Sequence, residues 1–214
     1  MATMIDLLRH GEPEGGPRYR GSLDDPLSTE GWRQMEAAVQ GHPAWDAIYS
    51  SPLKRCARFA HALGQPLAIP VMVEERFQEM HFGEWEGRTS VEQLANDRSR
   101  LTRFWRDPLN NPPPGGEDLR DFHRRVQSGW EALVSQHPGQ SLLVVAHSGV
   151  IRMILGLVLQ MPLQNLSRMV VEYASVSRIK VDEVEGQPLP RLVFHAGRFG
   201  PDDPSPGSTG NARH

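Results

Sequence analysis

Strands alternating with helical patterns predict an α/β fold for this 214-residue chain: a three-layer α/β/α sandwich on a mostly parallel central sheet. Three runs carry that expectation. Residues 3–8, 45–50 and 141–146 are short and apolar, and each stops abruptly at polar or basic residues. A helical pattern opens soon after each of them, as in successive strand–helix units.

Taken in order, the first strand ends in Arg9-His10-Gly11 and passes into a Gly- and Pro-rich loop over 12–26, which suits neither a helix nor an internal strand. Ser28 then caps a helix running through Trp32, Met35 and Val39 to a stop near Gly41. After the second strand, Ser51 is placed to cap and Pro52 to occupy the first position of a helix over 52–63, with Arg55 in its first turn. Residues 67–73 read as a third strand between Pro66 and Pro70. The aromatic and acidic stretch 77–87 shows no sustained period and is expected as a loop. Thr89 and Ser90, followed by Glu92 and Gln93, form overlapping capping boxes for a helix to about Arg106. Three consecutive prolines make 110–116 a loop. Leu119, Phe122, Val126, Trp130 and Leu133 then share one face of a helix over 117–137. The run 141–146 is the most strand-like in the chain, and a helix over 150–159 follows its His147-Ser148-Gly149. Residues 169–181 and 191–195 are expected as later strands. Residues 1–196 form one domain on this reading, and 197–214, rich in Pro, Gly, Ser and Asp, form a flexible tail.

Composition narrows the function. Hydrophobic residues make up 38% and charged residues 23% of the chain, as in an ordinary globular protein. A formal net charge of -3 argues against general binding of nucleic acid or of an anionic membrane. Cys56 is the single cysteine, which excludes an intrachain disulfide and favours the cytoplasm. A Cys-x5-Arg phosphatase loop would need Arg at position 62, where Ala62 stands. Asp6, Arg9 and His10 interrupt what would be the apolar core of a signal peptide. Residues 142–161 match a membrane span in length, but His147 and Arg152 near their middle favour a buried strand and helix.

Three strand ends deliver chemistry: Arg9 with His10, Arg55, and His147. In a parallel sheet those ends share one edge, the edge at which ligands bind. The helix beginning after His147 adds backbone N–H groups and a positive dipole end. Two guanidiniums, an imidazole and those amides can surround a phosphoryl group, and a neutral His10 can attack it in line.

Six segments in the same order resemble the histidine phosphatase superfamily, the phosphoglycerate mutase-like enzymes. They are Leu8-Arg9-His10-Gly11-Glu12, the run 24–31 with Pro26-Leu27-Ser28, Ser50-Ser51-Pro52-Leu53-Lys54-Arg55, the stretch 78–87, Gly115-Gly116-Glu117 and Val145-Ala146-His147-Ser148-Gly149. The resemblance implies a phosphoglycerate mutase-like fold and assigns the roles. Arg9 and Arg55 clamp the phosphate, His10 is phosphorylated, His147 stabilises the transferring group, and Glu79 is the acid/base. The Ser148 backbone N–H is a further donor. No metal and no organic cofactor is implied, and the partner is a phosphorylated small molecule; the oligomeric state stays open. Departures stand at Pro13, where many members have Thr or Ser, at Gly16, where many have a phosphate-binding Asn, and at Phe59, where Thr is common. Arg18, Arg20 or backbone amides are available to fill the place of that Asn, and Arg20 is carried forward as a substrate contact.

Length and loop pattern look most like the α-ribazole phosphatases and broad-specificity phosphatases of that family. Phosphoglycerate mutase is the enzymatic rival, although the tail has little apolar content with which to cover a site. A non-catalytic relative that binds phosphorylated ligands is the rival from another class. The nine histidines show no paired zinc-type spacing. Glu84 and Glu86 read as surface charges of their loop, and Phe82 and Trp85 as packing residues.

Overall fold

A computed structural model describes residues 1–42, 44–197 and 199. Its centre is a six-stranded sheet of β1 (Thr3–Arg9), β2 (Ala47–Ser50), β3 (Val71–Val73), β4 (Ser141–Ala146), β5 (Val176–Val184) and β6 (Gln187–Gly197), in the order β3-β2-β4-β1-β5-β6. The first four run parallel, and β5 and β6 close one side as an antiparallel hairpin. Helices α1 (Thr29–Ala38), α2 (Lys54–Leu67), α3 (Ser90–Arg106), α4 (Leu119–Gln136) and α5 (Ser148–Val158) cover it.

Strand period explains the three layers. Ile5 and Leu7 of β1 and Leu142 and Val144 of β4 join one buried cluster with Phe122, Val126 and Ile151 from α4 and α5. Leu8, Leu143 and Val145 point the other way, into a cluster with Met35 of α1 and Cys56 and Phe59 of α2. Phe59 is buried and its ring lies 5.7 Å from that of Trp32, so this departure from the family pattern packs α2 onto α1. Asp6 is the charged residue that β1 buries inside the sheet's layers. It is fully buried, receives Arg178 Nε at 2.7 Å and NH2 at 3.1 Å, and accepts Trp45 Nε1 at 2.8 Å. Among the described residues no helix is long and apolar enough to cross a membrane, and the 142–161 segment is β4 followed by α5.

Several boundaries differ from expectation, each for a local reason. Residues 67–70 are not strand. Helix α2 runs on to Leu67 with Pro66 in its last turn, which forgoes the one N–H that would bond the carbonyl of Ala62, and ends at Ala68 with φ 53°. The cap of α2 also differs. Leu53 is the N-cap, and Asp24 reaches in from the loop to accept the Lys54 N–H at 2.6 Å. Within 77–87 the chain makes a 3-10 turn at Gly83–Trp85, after another at Glu75–Phe77. Helix α3 carries the Thr89/Glu92 capping box but kinks at Asp97 (φ -147°, ψ 79°). Residues 169–175 are not strand either, and two of their carbonyls accept arginine side chains instead. Of the tail, Gly197 ends β6 and Phe199 lies 5.8 Å from the Trp45 ring; Arg198 and residues 200–214 fall outside the described residues.

Candidate active site

Strand register builds the site. Arg9 pairs with Ala146 and Ser50 with Val145, so β1, β2 and β4 end side by side. The next residues continue the ladder, with His10 N–H donating to Ala146 O and Ser51 N–H to Val145 O, both at 3.0 Å. His10 and His147 thereby face each other with ring centroids 5.2 Å apart, and Arg55 reaches His147 from α2. Residues separated by more than a hundred positions share one pocket because a parallel sheet ends all its strands on one edge.

The protonation pattern of His10 follows from its partner. Its Nδ1 lies 2.7 Å from Gly11 O, and a carbonyl can only accept, so Nδ1 carries the hydrogen and Nε2 keeps its lone pair. Burial, then Arg55 and Arg9, hold the His10 pKa well below the ordinary histidine value. The ring is therefore neutral near pH 7 and nucleophilic at Nε2. His10 and His147 are both buried. His147 is held neutral by burial and then by Arg55 and His10. It accepts from Arg55 Nε at Nδ1 (3.2 Å), which leaves Nε2–H to donate to Ser51 Oγ at 2.7 Å.

The arginines are fixed by backbone carbonyls. Arg55 NH1 donates to Leu23 O at 2.6 Å and NH2 to Gly21 O at 2.9 Å. Arg9 NH1 donates to Val171 O at 2.6 Å, and its guanidinium carbon sits 4.0 Å over the Tyr173 ring. Glu79 stands in the same cavity, with Oε1 accepting the Met80 N–H at 3.0 Å and Oε2 the Gly149 N–H at 3.1 Å. Burial opposes the charge on Arg9 and Arg55, and Glu79 supports both.

A cavity of about 220 Å³ opens onto Arg9, His10, Arg20, Arg55, Glu79 and Ser148. His147 lies behind it. Arg20 is buried at its wall, with Nε on Asp25 Oδ2 at 3.0 Å and NH2 on Gly16 O at 2.7 Å. Arg18 is more exposed and turns its guanidinium onto Gly15 O. Arg152, one turn into α5, is a further cation of the cavity that the sequence reading did not select; its Nε donates to Met169 O at 2.8 Å.

Glu86 also departs from expectation. It is not a surface charge: its side chain is 10% exposed and accepts from Ser22 N (2.9 Å), Ser22 Oγ (2.8 Å) and Phe82 N (3.0 Å). It thus ties the loop that positions Arg55 to the segment that carries Glu79. Two glycines beside it, Gly21 and Gly87, were the available signal, since Gly21 adopts φ 49° and leaves no room for a Cβ against Glu86. Trp85 is core, whereas Phe82 both packs and lines the cavity. Burial pushes the Cys56 thiol up to about 12, so this cysteine is no thiolate nucleophile. Among the described residues no three His, Cys, Asp or Glu side chains are grouped to hold a metal ion.

Residues 5–189 match the model of the histidine phosphatase superfamily (branch 1). The chain is 36% identical over 202 residues to the bifunctional protein Rv2228c of Mycobacterium tuberculosis, a match covering 91% of this chain and 54% of that one. It therefore spans about half the length of that relative. It is 29% identical to the adenosylcobalamin/alpha-ribazole phosphatase of Salmonella typhimurium, over 83% of this chain and 90% of that one. The native structure of mycobacterial glucosyl-3-phosphoglycerate phosphatase Rv2419c superposes with a TM-score of 0.80 at 27% identity, covering 90% of this chain and 98% of that one. The chain belongs to the histidine phosphatase superfamily.

Proposed function

We infer that the protein is a metal-independent phosphatase that hydrolyses a small-molecule phosphomonoester through a phosphohistidine on His10. The observation that carries this is the neutral His10, with Nδ1–H committed to Gly11 O, in a cavity that also holds Arg9, Arg55 and Glu79. His10 Nε2 attacks phosphorus as the bond to the leaving oxygen breaks, and Glu79 gives that oxygen a proton. The ring becomes cationic, and the hydrogen bond to Gly11 O strengthens as it does. Arg9, Arg55 and the Ser148 N–H stabilise the charge on the transferring oxygens. Water then attacks the phosphohistidine, returns its proton to Glu79, and leaves His10 neutral again. His147 holds Arg55 in place; to contact the transferring oxygens itself, the role implied by resemblance, it must release Ser51.

Among substrates, α-ribazole 5′-phosphate of cobalamin biosynthesis is the candidate supported by the Salmonella relative, and a cytoplasmic setting suits the single buried cysteine. The test is turnover of a panel of phosphorylated metabolites, α-ribazole phosphate included, by wild type and His10→Ala, with and without a chelator. Acid-labile phosphate on His10 and chelator-insensitive turnover are expected. Equal inertness of both proteins favours a non-catalytic binder, and label on any other residue refutes the mechanism.

A further inference from the structure

The cavity has two kinds of wall. Arg9, His10, Arg55 and Glu79 make a charged end suited to the phosphoryl group. Much of the rest is Phe104, Trp105, Pro108, Leu163 and Leu166, from the end of α3, the residues after it and the turn Leu163–Arg168. Phosphoryl transfer demands none of these side chains.

Phe104 and Leu166 anchor this wall. Phe104 is 5% exposed, with its ring edge-on to Trp85 at a centroid distance of 5.2 Å. Leu166 is buried against Gly156, where a Cβ would collide with it. Trp105 lies 5.0 Å from Phe104, centroid to centroid, and is 46% exposed, which puts it at the mouth. Of the cavity's arginines outside the phosphoryl end, Arg20 is paired with Asp25 and Gly16 O, while Arg18 and Arg152 are turned onto Gly15 O and Met169 O. The side chains of the apolar wall read a leaving group mainly through apolar area, and apart from the Trp105 indole N–H they offer hydroxyls or a carboxylate no side-chain partner.

We propose that the site selects phosphomonoesters whose leaving alcohol carries an aromatic or similarly flat apolar group, with Trp105 and Leu163 determining the preference. This rests on the phosphatase reading above and names the substrate class for it. Alkyl esters keep the leaving oxygens chemically alike, so the panel is 2-(2-naphthyl)ethyl phosphate, ethyl phosphate and phosphoserine. The naphthyl ester is expected to exceed the other two in kcat/KM by about tenfold or more. Trp105→Ala removes most of that ratio, and Leu163→Ser serves as a second, independent variant.

Binding separates this inference from the catalytic one. Naphthylmethylphosphonate and methylphosphonate cannot be hydrolysed at their P–C bond, and calorimetry on the wild type compares their affinities. Tighter binding of the naphthyl compound supports the apolar wall even if no ester is turned over, an outcome that would refute the phosphatase reading alone. Equal binding of the two phosphonates overturns the inference. So does phosphoserine matching the naphthyl ester in an active enzyme, or both variants lowering all esters alike.

Discussion

Gly149 is a position where stability and catalysis are expected to separate. Its N–H holds Glu79 Oε2 at 3.1 Å. A Cβ built there would collide with Glu79 Oε1 and stand 3.1 Å from the carboxyl carbon and 3.2 Å from Phe122 Cε1. Gly149 lies in the first turn of α5 without a positive φ, so alanine suits its backbone and gains up to about 1 kcal/mol of helix propensity. The clash is relieved by swinging the far end of a flexible side chain, which takes little from the fold. That far end is the proposed acid. Loss of general acid catalysis is worth roughly 10²–10⁴ in rate. Gly149→Ala should therefore melt close to wild type yet phosphorylate His10 from an alkyl ester at least about a hundredfold more slowly. With 4-nitrophenyl phosphate, whose leaving group departs as a stable anion, the loss should be much smaller. Rapid-quench measurement of phosphohistidine isolates this step from the second one, in which Glu79 works as a base, and Glu79→Gln is the reference. Alkyl-ester phosphorylation within about threefold of wild type would refute the reasoning.

Other consequences follow from single contacts. Asp6→Ala leaves Arg178 buried opposite a missing carboxylate and should cost about 3–5 kcal/mol in urea unfolding, whereas an unchanged midpoint would mean that the pair contributes nothing. Glu86→Ala releases Ser22 and with it the carbonyls of Gly21 and Leu23 that hold Arg55; kcat/KM should fall more than the melting temperature would suggest. His10 and His147 have folded pKa values well below 6.5, so above pH 6.5 both states are neutral and neither histidine affects stability. As pH falls below 6.5 the unfolded chain takes up protons that the folded one does not, and stability drops by about 1.4 kcal/mol per pH unit per histidine. His147→Asn should flatten that slope between pH 6.5 and 5, measured against wild type. Cys56, fully buried, should resist alkylation by iodoacetamide in buffer and react in denaturant, and rapid labelling of the native protein would contradict its placement.

Which parts of this were legible in the sequence depends on whether the determining interaction is local. β1 and β4 announce themselves as apolar runs, and Ser28 and Thr89 sit where caps are read directly from residue type. The misplaced ends share a cause: a partner far along the chain. Asp24 caps α2 across 30 positions, and the carbonyls of Met169 and Val171 bind arginines from α5 and β1. An apolar pattern over 169–175 cannot show that its backbone is committed elsewhere. The strand ends likewise indicate that Arg9, His10, Arg55 and His147 share an edge, because the parallel connection dictates it. Glu79 had no such cue, since it lies on an irregular segment and only motif resemblance singled it out. Glu86 and Arg152 were overlooked because a charged residue in a loop or on a helix reads by default as solvated, and only burial shows otherwise.

The manner in which the cations are held bears on why the pocket suits a doubly charged oxyanion. A buried arginine can be neutralised by a carboxylate, as Arg178 is by Asp6, and such a pair has little attraction left for a ligand. Arg9, Arg55 and Arg152 are instead held by the carbonyls of Val171, Gly21, Leu23 and Met169. A carbonyl dipole fixes the orientation of a guanidinium while leaving its net charge in place. Glu79 supports the charge on all three, with Glu172 acting also on Arg9 and Arg152 and Asp24 on Arg55. The two histidines stay neutral in that field, which keeps Nε2 of His10 free to form a bond instead of holding a proton. On the proposed mechanism one arrangement does two things: the arginines placed to attract the phosphoryl group also help burial to keep His10 deprotonated. Replacing Val171 or Met169 would leave that arrangement intact, because the bonds come from backbone; replacing Arg55 would weaken phosphate binding and raise the His10 pKa together. A pH–rate profile for Arg55→Ala should accordingly show its acid limb moved upward as well as a lower kcat/KM, and an unmoved limb would mean that His10 is kept neutral without Arg55.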